Sequence, residues 1–321
     1  MHRRLGALAV VVVTGLAVAA CGSSPGPPST ATTSTPATVP PAPGATSTGA
    51  TTPHVMVIME ENRGYAATLG SCASDPYLCS LAATYAGVTT WSGVSHPSAP
   101  NYVAFVSGAT QGLTSDCTPT SCGPFAAPSL GGQLSAAGVP WRAYMESMPS
   151  ACSTAGSAGD YAEKHNPFLY FTDVRSAPSC ATVEQPYPGA AGMVAALTSP
   201  AAPDFVWISP NLVNDMHDGS VATGDAWLRT NLAPVLTSSW FTGPAATVIV
   251  TMDENDAQSS PGGGQVPMVV ISTTAHGRGH VAANGNHYGT LRSIEEAYGL
   301  PLLGAAADPA NGDLLSLFSR A

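Results

Sequence analysis

The stretch His54-Val-Met-Val-Ile-Met-Glu-Glu-Asn62 sets the terms for the rest of the chain. Its apolar run is short for a helix, is unbroken like a strand buried on both faces, and stops abruptly at two carboxylates. Three further runs share this form, at 205–209, 247–252 and 266–272. Between them lie stretches suited to helices, at 100–107, 225–238 and 287–298, and Pro234 is expected to kink or split the second. Continuous Val/Ile/Met runs alternating with helices predict an α/β fold, a mostly parallel sheet covered on both faces. No internal repeat is visible, and residues 54–321 read as one unit.

The residues just past each strand carry the chemistry. The first strand runs into Glu60-Glu61-Asn62, the second into Asn214-Asp215-Met216-His217-Asp218-Gly219, and the third into Asp253-Glu254-Asn255-Asp256. Ligands of open α/β sheets bind beyond the carboxyl ends of the strands. Three clusters of oxygen and imidazole donors at such ends are expected to converge on one site for a divalent metal of unknown identity, which such donors suit better than thiolates would. The bland alternative, acidic residues that solubilise turns or cap helices, would account for one cluster more easily than for three.

A nucleophile candidate lies in Ser95-His-Pro-Ser-Ala-Pro-Asn-Tyr102. Pro100 suits the first turn of a helix that Gly108 would end. Ser98 then sits at the mouth of a helix N-terminus, where free N–H groups favour an anion. Asn101, in the first turn, has an amide to offer a phosphoryl oxygen. Taken alone, the motif reads equally well as a proline-rich turn with a capping serine.

Of the 321 residues 44 % are hydrophobic, enough for a sizeable core, while only 9 % are charged, against about 25 % in an ordinary soluble domain. Ten Lys and Arg against 20 Asp and Glu give a net charge of −10. No surplus of cations exists to displace phosphate counterions, so nucleic-acid binding is not expected. An anionic substrate would need a local attractor, and a metal ion is the obvious one.

Residues 1–20 read as an address. Arg3 and Arg4 precede an apolar run from Leu5 to Ala20, about 24 Å long as a helix and short of a ~30 Å hydrocarbon core. This is a signal-peptide pattern, and Val18-Ala-Ala-Cys21 resembles the bacterial lipobox, with Cys21 as the lipidated first residue. Residues 22–53 hold only Gly, Ser, Thr, Pro, Ala and Val, a composition that reads as a tether rather than a fold. The expected location is the outer side of the cell membrane or the medium, with membrane contact only through the lipid. Seven cysteines less Cys21 leave six, an even set suggesting three disulfides in an exported chain. Local pairing gives 72–79, 117–122 and 152–180.

The opening block, His54-Val-Met-Val-Ile-Met-Glu-Glu-Asn-Arg-Gly-Tyr65, resembles the first motif of the bacterial phosphoesterase family of phospholipases C and acid phosphatases, in the alkaline-phosphatase-like superfamily. The similarity continues through His96-Pro-Ser-Ala-Pro-Asn-Tyr-Val-Ala-Phe-Val-Ser-Gly108, Asn214-Asp-Met-His-Asp-Gly219, Val248-Ile-Val-Thr-Met-Asp-Glu-Asn-Asp256 and Asn286-His-Tyr-Gly-Thr-Leu-Arg-Ser-Ile-Glu-Glu296, in the family's order. The resemblance implies a three-layer α/β/α sandwich. It implies Glu61, Asn62, Ser98, Asp253 and Glu254 as ligands of one metal ion, Ser98 also accepting the phosphoryl group and Asn101 holding it. His217 and His287 match positions that line the phosphate or metal and could protonate the leaving oxygen, while Asp215 and Asp218 orient His217 or its loop. Glu60 is turned away by strand alternation if Glu61 points inward.

The residues after Glu254 lack the His-Gly-Gly stretch of the phospholipase branch, and the chain has little beyond its last motif. Both points favour the acid-phosphatase-like branch, with a small phosphoric ester as substrate and no evident protein partner. A phospholipase C-type diesterase is the nearest alternative. A serine esterase would need a G-x-S-x-G elbow that is absent here. A noncatalytic surface module would leave the recurrence of these blocks without a reason.

Overall fold

The computed structural model describes residues 52–243 and 245–319. The leader, Cys21 and the tether up to residue 51 lie outside the described residues.

The core is an eight-stranded sheet in the order β4-β3-β5-β1-β6-β7-β2-β8. Its strands are β1 (His54–Glu60), β2 (Ala86–Ser92), β3 (Trp141–Met145), β4 (Glu184–Pro186), β5 (Phe205–Ser209), β6 (Ala246–Met252), β7 (Gln265–Ser272) and β8 (Gly279–Asn286). The central pairs β1/β5 and β1/β6 are parallel, as are β3/β4, β3/β5 and β2/β8. Only β7 is reversed, antiparallel to both β6 and β2. The expected mostly parallel α/β sheet is therefore present.

Among the described residues, five helices of nine residues or more pack on it: α1 (Pro76–Thr84), α2 (Ser98–Ser107), α3 (Gly189–Leu197), α4 (Val221–Leu236) and α5 (His287–Tyr298). Side-chain alternation along β1 shows how they are sorted. Val55, Val57 and Met59 enter one core with Tyr102, Val103 and Phe105 of α2 and with Leu291 and Ile294 of α5. Met56 and Ile58 enter the other with Leu78 and Leu81 of α1, Met193 of α3, and Trp227 and Leu228 of α4. The two cores make three layers.

Two helix boundaries differ from expectation. α2 begins at Ser98 rather than Pro100, because a proline lacking its N–H is tolerated anywhere in the first turn. α4 is one helix from Val221 to Leu236, with Pro234 in its last turn, where the helix is about to end. Gly108 does close α2. It adopts φ +70°, and a Cβ there would lie 2.0 Å from the Leu303 carbonyl oxygen. The disulfides are Cys72–Cys79, Cys117–Cys122 and Cys152–Cys180, as local pairing predicts.

Candidate active site

Strands β1, β2, β5, β6 and β8 all point their carboxyl ends the same way, since β6 and β2 are each antiparallel to β7. Beyond those five ends come Glu61-Asn62, the 93–98 loop, the 210–218 loop, Asp253-Glu254 and His287. Backbone bonds tie the ends together: Glu61 N–H donates to the Asp215 carbonyl at 2.7 Å, and Asp253 N–H to the Glu60 carbonyl at 3.1 Å. Gly93 lets β2 approach this bundle, because a Cβ there would sit 2.7 Å from the Asp253 carbonyl oxygen.

Glu61 continues the side of β1 that faces α2, and Ser98 Oγ donates to its Oε2 at 3.0 Å. Glu60 takes the opposite side, fully buried, with both carboxyl oxygens lacking partners. Burial, then the charges of Asp215 and Glu146, push its pKa well above the usual carboxylate range. Asn62 adopts φ +52°, a left-handed conformation that Asn tolerates, and its N–H donates to Asp253 Oδ1 at 3.0 Å. Glu254 pairs with His96 Nδ1 and accepts from Gln258 Nε2 at 3.2 Å.

His165, which carried no expected role, is the buried centre of charge. Its Nε2 lies 3.0 Å from Glu61 Oε1 and its Nδ1 lies 3.1 Å from Asp215 Oδ2. Its ring stacks on Tyr102 with centroids 5.0 Å apart. Burial opposes its charge, but the two carboxylates prevail and raise its pKa to about 10, so it is an imidazolium at neutral pH. Burial likewise opposes ionisation of Glu61, yet His165 brings that carboxyl down to about 2.

The other expected residues are sorted by the structure. Asp215 steadies both His165 and the His217 backbone, whose N–H donates to Asp215 Oδ1 at 2.8 Å. His217 Nδ1 lies 2.7 Å from Asp218 Oδ1, half-exposed on the wall of a cavity of about 330 Å³. Asn101, expected to hold a phosphate, instead spends its amide on the loop before α2. Its Oδ1 accepts from Val94 N–H at 2.8 Å and Ser95 N–H at 3.0 Å, and its Nδ2 donates to the Ser95 carbonyl at 2.8 Å. A tight loop leaves these backbone groups with no other partner, so Asn101 shapes the seat of Ser98. His287 lies beneath the site, fully buried, its Nε2–H donating to the Asp253 carbonyl at 2.6 Å. Burial lowers its pKa to about 4, so it is neutral, with its N–H committed to that carbonyl and its Nδ1 buried without a partner.

The donor set suits a hard divalent cation. Glu61 Oε1, Asn62 Oδ1 and Asp253 Oδ2 are buried without a hydrogen-bond partner, the 3.0 Å approach of His165 to Glu61 Oε1 lacking hydrogen-bond geometry. Burial, then the charges of Glu61 and Glu254, push Asp253 well above the usual carboxylate range, and burial raises Glu254 too. Among the described residues no three His, Cys, Asp or Glu side chains form a metal cluster by themselves. Carboxylates crowded until they resist ionisation are what a cation would relieve.

Residues 72–301 match the phosphoesterase family. The chain belongs to that family. This phosphoesterase is 38 % identical over 256 residues to the phosphatidylinositol-3-phosphatase of Mycobacterium tuberculosis, spanning 79 % of this chain and 80 % of that one. It is 28 % identical over 244 residues to the phosphate-repressible acid phosphatase of Penicillium chrysogenum, across 72 % of this chain and 56 % of the fungal protein. In fold, it is similar to an alkaline phosphatase superfamily protein of Vibrio parahaemolyticus, with a TM-score of 0.55 at 12 % identity over 82 % of this chain and 69 % of that one. It is also similar to the lipoteichoic acid synthase of Listeria monocytogenes, with a TM-score of 0.56 at 11 % identity over 84 % and 77 %. The fold is thus of the alkaline-phosphatase kind, and the phosphoesterase is a phosphoric ester hydrolase.

Proposed function

We propose that this hydrolase is a metal-dependent phosphomonoesterase of the acid-phosphatase type, with Ser98 as nucleophile and Glu61, Asn62, Ser98, Asp253 and Glu254 holding one divalent ion. The observation that carries the reading is the pair of buried, unpartnered oxygens of Asn62 and Asp253 beside the Ser98–Glu61 hydrogen bond at a helix N-terminus. Such an ion would neutralise the carboxylates, ease deprotonation of the serine and offset the charge of the ester.

The chain's own residues supply the rest. Glu61 Oε2 aims the Ser98 hydroxyl through their hydrogen bond, and His165 keeps Glu61 ionised for that purpose. Ser98 Oγ passes its proton to Glu61 Oε2, its hydrogen-bond acceptor, and forms a bond to phosphorus as the bond to the ester oxygen breaks, and the α2 N-terminus favours the charge on the phosphoryl oxygens. His217, at the cavity wall, gives its proton to the departing alcohol. Water then hydrolyses the phosphoserine and returns the serine. The phosphatase names of both relatives support a monoester substrate.

The experiment combines p-nitrophenyl phosphate and its bis-ester at pH 5–8, with and without chelator, for the wild type and Ser98→Ala. Turnover should favour the monoester, stop on chelation, return with added metal, and fall at least about a thousandfold in Ser98→Ala. Acid quench and mass spectrometry should find the phosphoryl group on Ser98. Full activity in Ser98→Ala would refute the nucleophile, and activity untouched by chelation would refute the metal.

Export and lipidation at Cys21 belong to the same proposal. The three disulfides support an oxidising compartment. Cys21→Ser should release the protein from the membrane fraction, and labelled fatty acid should mark only the parent.

A further inference from the structure

Lys164 is the chain's single lysine, and it stands at the mouth of this site. Only 18 % of its side chain is exposed, and its Nζ lies 2.7 Å from Asp116 Oδ2. The other oxygen of Asp116 accepts the Ala99 N–H at 3.0 Å. The ammonium is therefore fixed, through one carboxylate, to the residue immediately after the nucleophile. Lys164, Asp116 and His217 line the cavity of about 330 Å³ together with Cys117, Ala162 and Leu212, which supply apolar surface.

Few cations are placed to meet an anion here. Arg63 is tied to the carbonyls of Asn62, Met216 and Gly219. His165 lies buried between Glu61 and Asp215. Lys164 gives one of its three N–H donors to Asp116 and keeps two. In a chain with a net charge of −10, a half-buried, anchored ammonium facing a cavity beside the nucleophile is poorly explained as surface solubilisation.

We propose that this cavity is a subsite for the leaving-group half of the ester, and that Lys164 selects esters whose alcohol carries a second anionic group. The second anion would bind the two free N–H donors while the alcohol's carbon skeleton lies on Cys117, Ala162 and Leu212. The inference rests on the reading of Ser98 as nucleophile and names the substrate class that site would prefer: bisphosphates, or phosphate esters bearing a second acidic group, over simple monophosphates.

The test is a matched pair, fructose 6-phosphate and fructose 1,6-bisphosphate, with phosphate release measured for the wild type, Lys164→Met, Lys164→Arg and Asp116→Asn. The readout is the ratio of kcat/KM for the two substrates, in which a general loss of activity cancels. The wild type should prefer the bisphosphate at least tenfold, chiefly through KM. Lys164→Met should abolish the preference, and Lys164→Arg should restore most of it. Asp116→Asn should retain it even where turnover of both substrates falls. A wild type without preference, or a Lys164→Met ratio within twofold of wild type, overturns the proposal. So does an equal loss of turnover on both substrates in Asp116→Asn and Lys164→Met with the ratio unchanged, because the pair would then only position α2. The two readings fail separately: Ser98→Ala turning over p-nitrophenyl phosphate removes the nucleophile, while the substrate ratio judges the subsite. Release from neither sugar phosphate by an enzyme active on p-nitrophenyl phosphate overturns the subsite alone.

Discussion

Replacing His165 by Gln takes one positive charge from between two buried carboxylates and leaves a neutral amide of similar reach. Glu61 and Asp215 lie 3.0 and 3.1 Å from the two ring nitrogens, and all three side chains are at most 3 % exposed. At an effective dielectric constant of about 20, each contact is worth ~5 kcal/mol of attraction, offset by the cost of desolvating the charges. Breaking such a buried pair typically costs about 3–5 kcal/mol, because the orphaned charge stays behind. The amide of Gln keeps one hydrogen bond, so the expected loss is about 3 kcal/mol in chelated protein near pH 7. Urea unfolding followed by tryptophan fluorescence measures it. A double-mutant cycle locates its origin: Asp215→Asn removes one stranded charge, so the pair of changes should cost at least ~1.5 kcal/mol less than their sum. Additive effects, or a loss below ~1 kcal/mol for His165→Gln, would refute the claim that His165 holds the site's charge balance.

Three further outcomes are expected from the same structure. Burial raises the Glu184 carboxyl to about 8, so the folded protein keeps a proton that the unfolded chain loses above ~4.5. That stability is full below ~4.5 and is lost as pH rises towards 8; between pH 5 and 7 the wild type should lose about 2–3 kcal/mol more than Glu184→Gln, by urea unfolding at each pH. Gly108→Ala should cost at least ~2 kcal/mol in thermal melts, combining left-handed backbone strain with the Leu303 clash. Removing Cys152–Cys180, whose sulfurs close 28 residues, should cost about 3–4 kcal/mol, against about 2 for Cys117–Cys122 with a separation of 5; equal losses in paired Cys→Ser variants would contradict the loop-length account.

The parts of the fold legible from sequence were those whose local pattern and burial agree. β1 and β5 stand at the bounds their apolar runs predict, because a strand buried on both faces needs apolar residues throughout, and helix α5 spans the expected 287–298. β2, β3, β4 and β8 were not legible. β8 is an edge strand of Gly, Ala, Asn, His and Val with alternate residues exposed, and β4 has three residues; neither buries enough to leave an apolar signature. The separation of Glu60 from Glu61 was legible, since it needs only the period of two along β1. The positions of Asn101 and His287 were not: what each side chain binds depends on a loop carbonyl or a neighbouring strand end, which no spacing within its own motif reveals. His165 and Lys164 escaped for a related reason. They lie in a 3₁₀ turn of Glu163–His165 on a long connection between β3 and β4, with no strand end before them. The one available signal was compositional, the single lysine of a charge-poor chain next to a histidine.

The topology explains why the polar chemistry gathers where it does. Candidate residues sit just past β1, β2, β5, β6 and β8, whose carboxyl ends share one edge of the sheet, and none sits past β7, whose reversal carries Ser272 to the opposite edge. Sequence reading counted three such ends, because β2 and β8 lack an apolar signature; the two that it could not place as strands deliver Ser98 and His287. A chain with 9 % charged residues can keep several carboxylates at that edge only by compensating them. His165 compensates Glu61 and Asp215, His96 pairs with Glu254, and Lys164 answers Asp116 at the mouth. Asp253 Oδ2 and Asn62 Oδ1 are left without a compensating partner, both buried and adjacent to the Ser98–Glu61 pair. The deficit of positive charge thus falls beside Ser98, where a divalent ion would make it up.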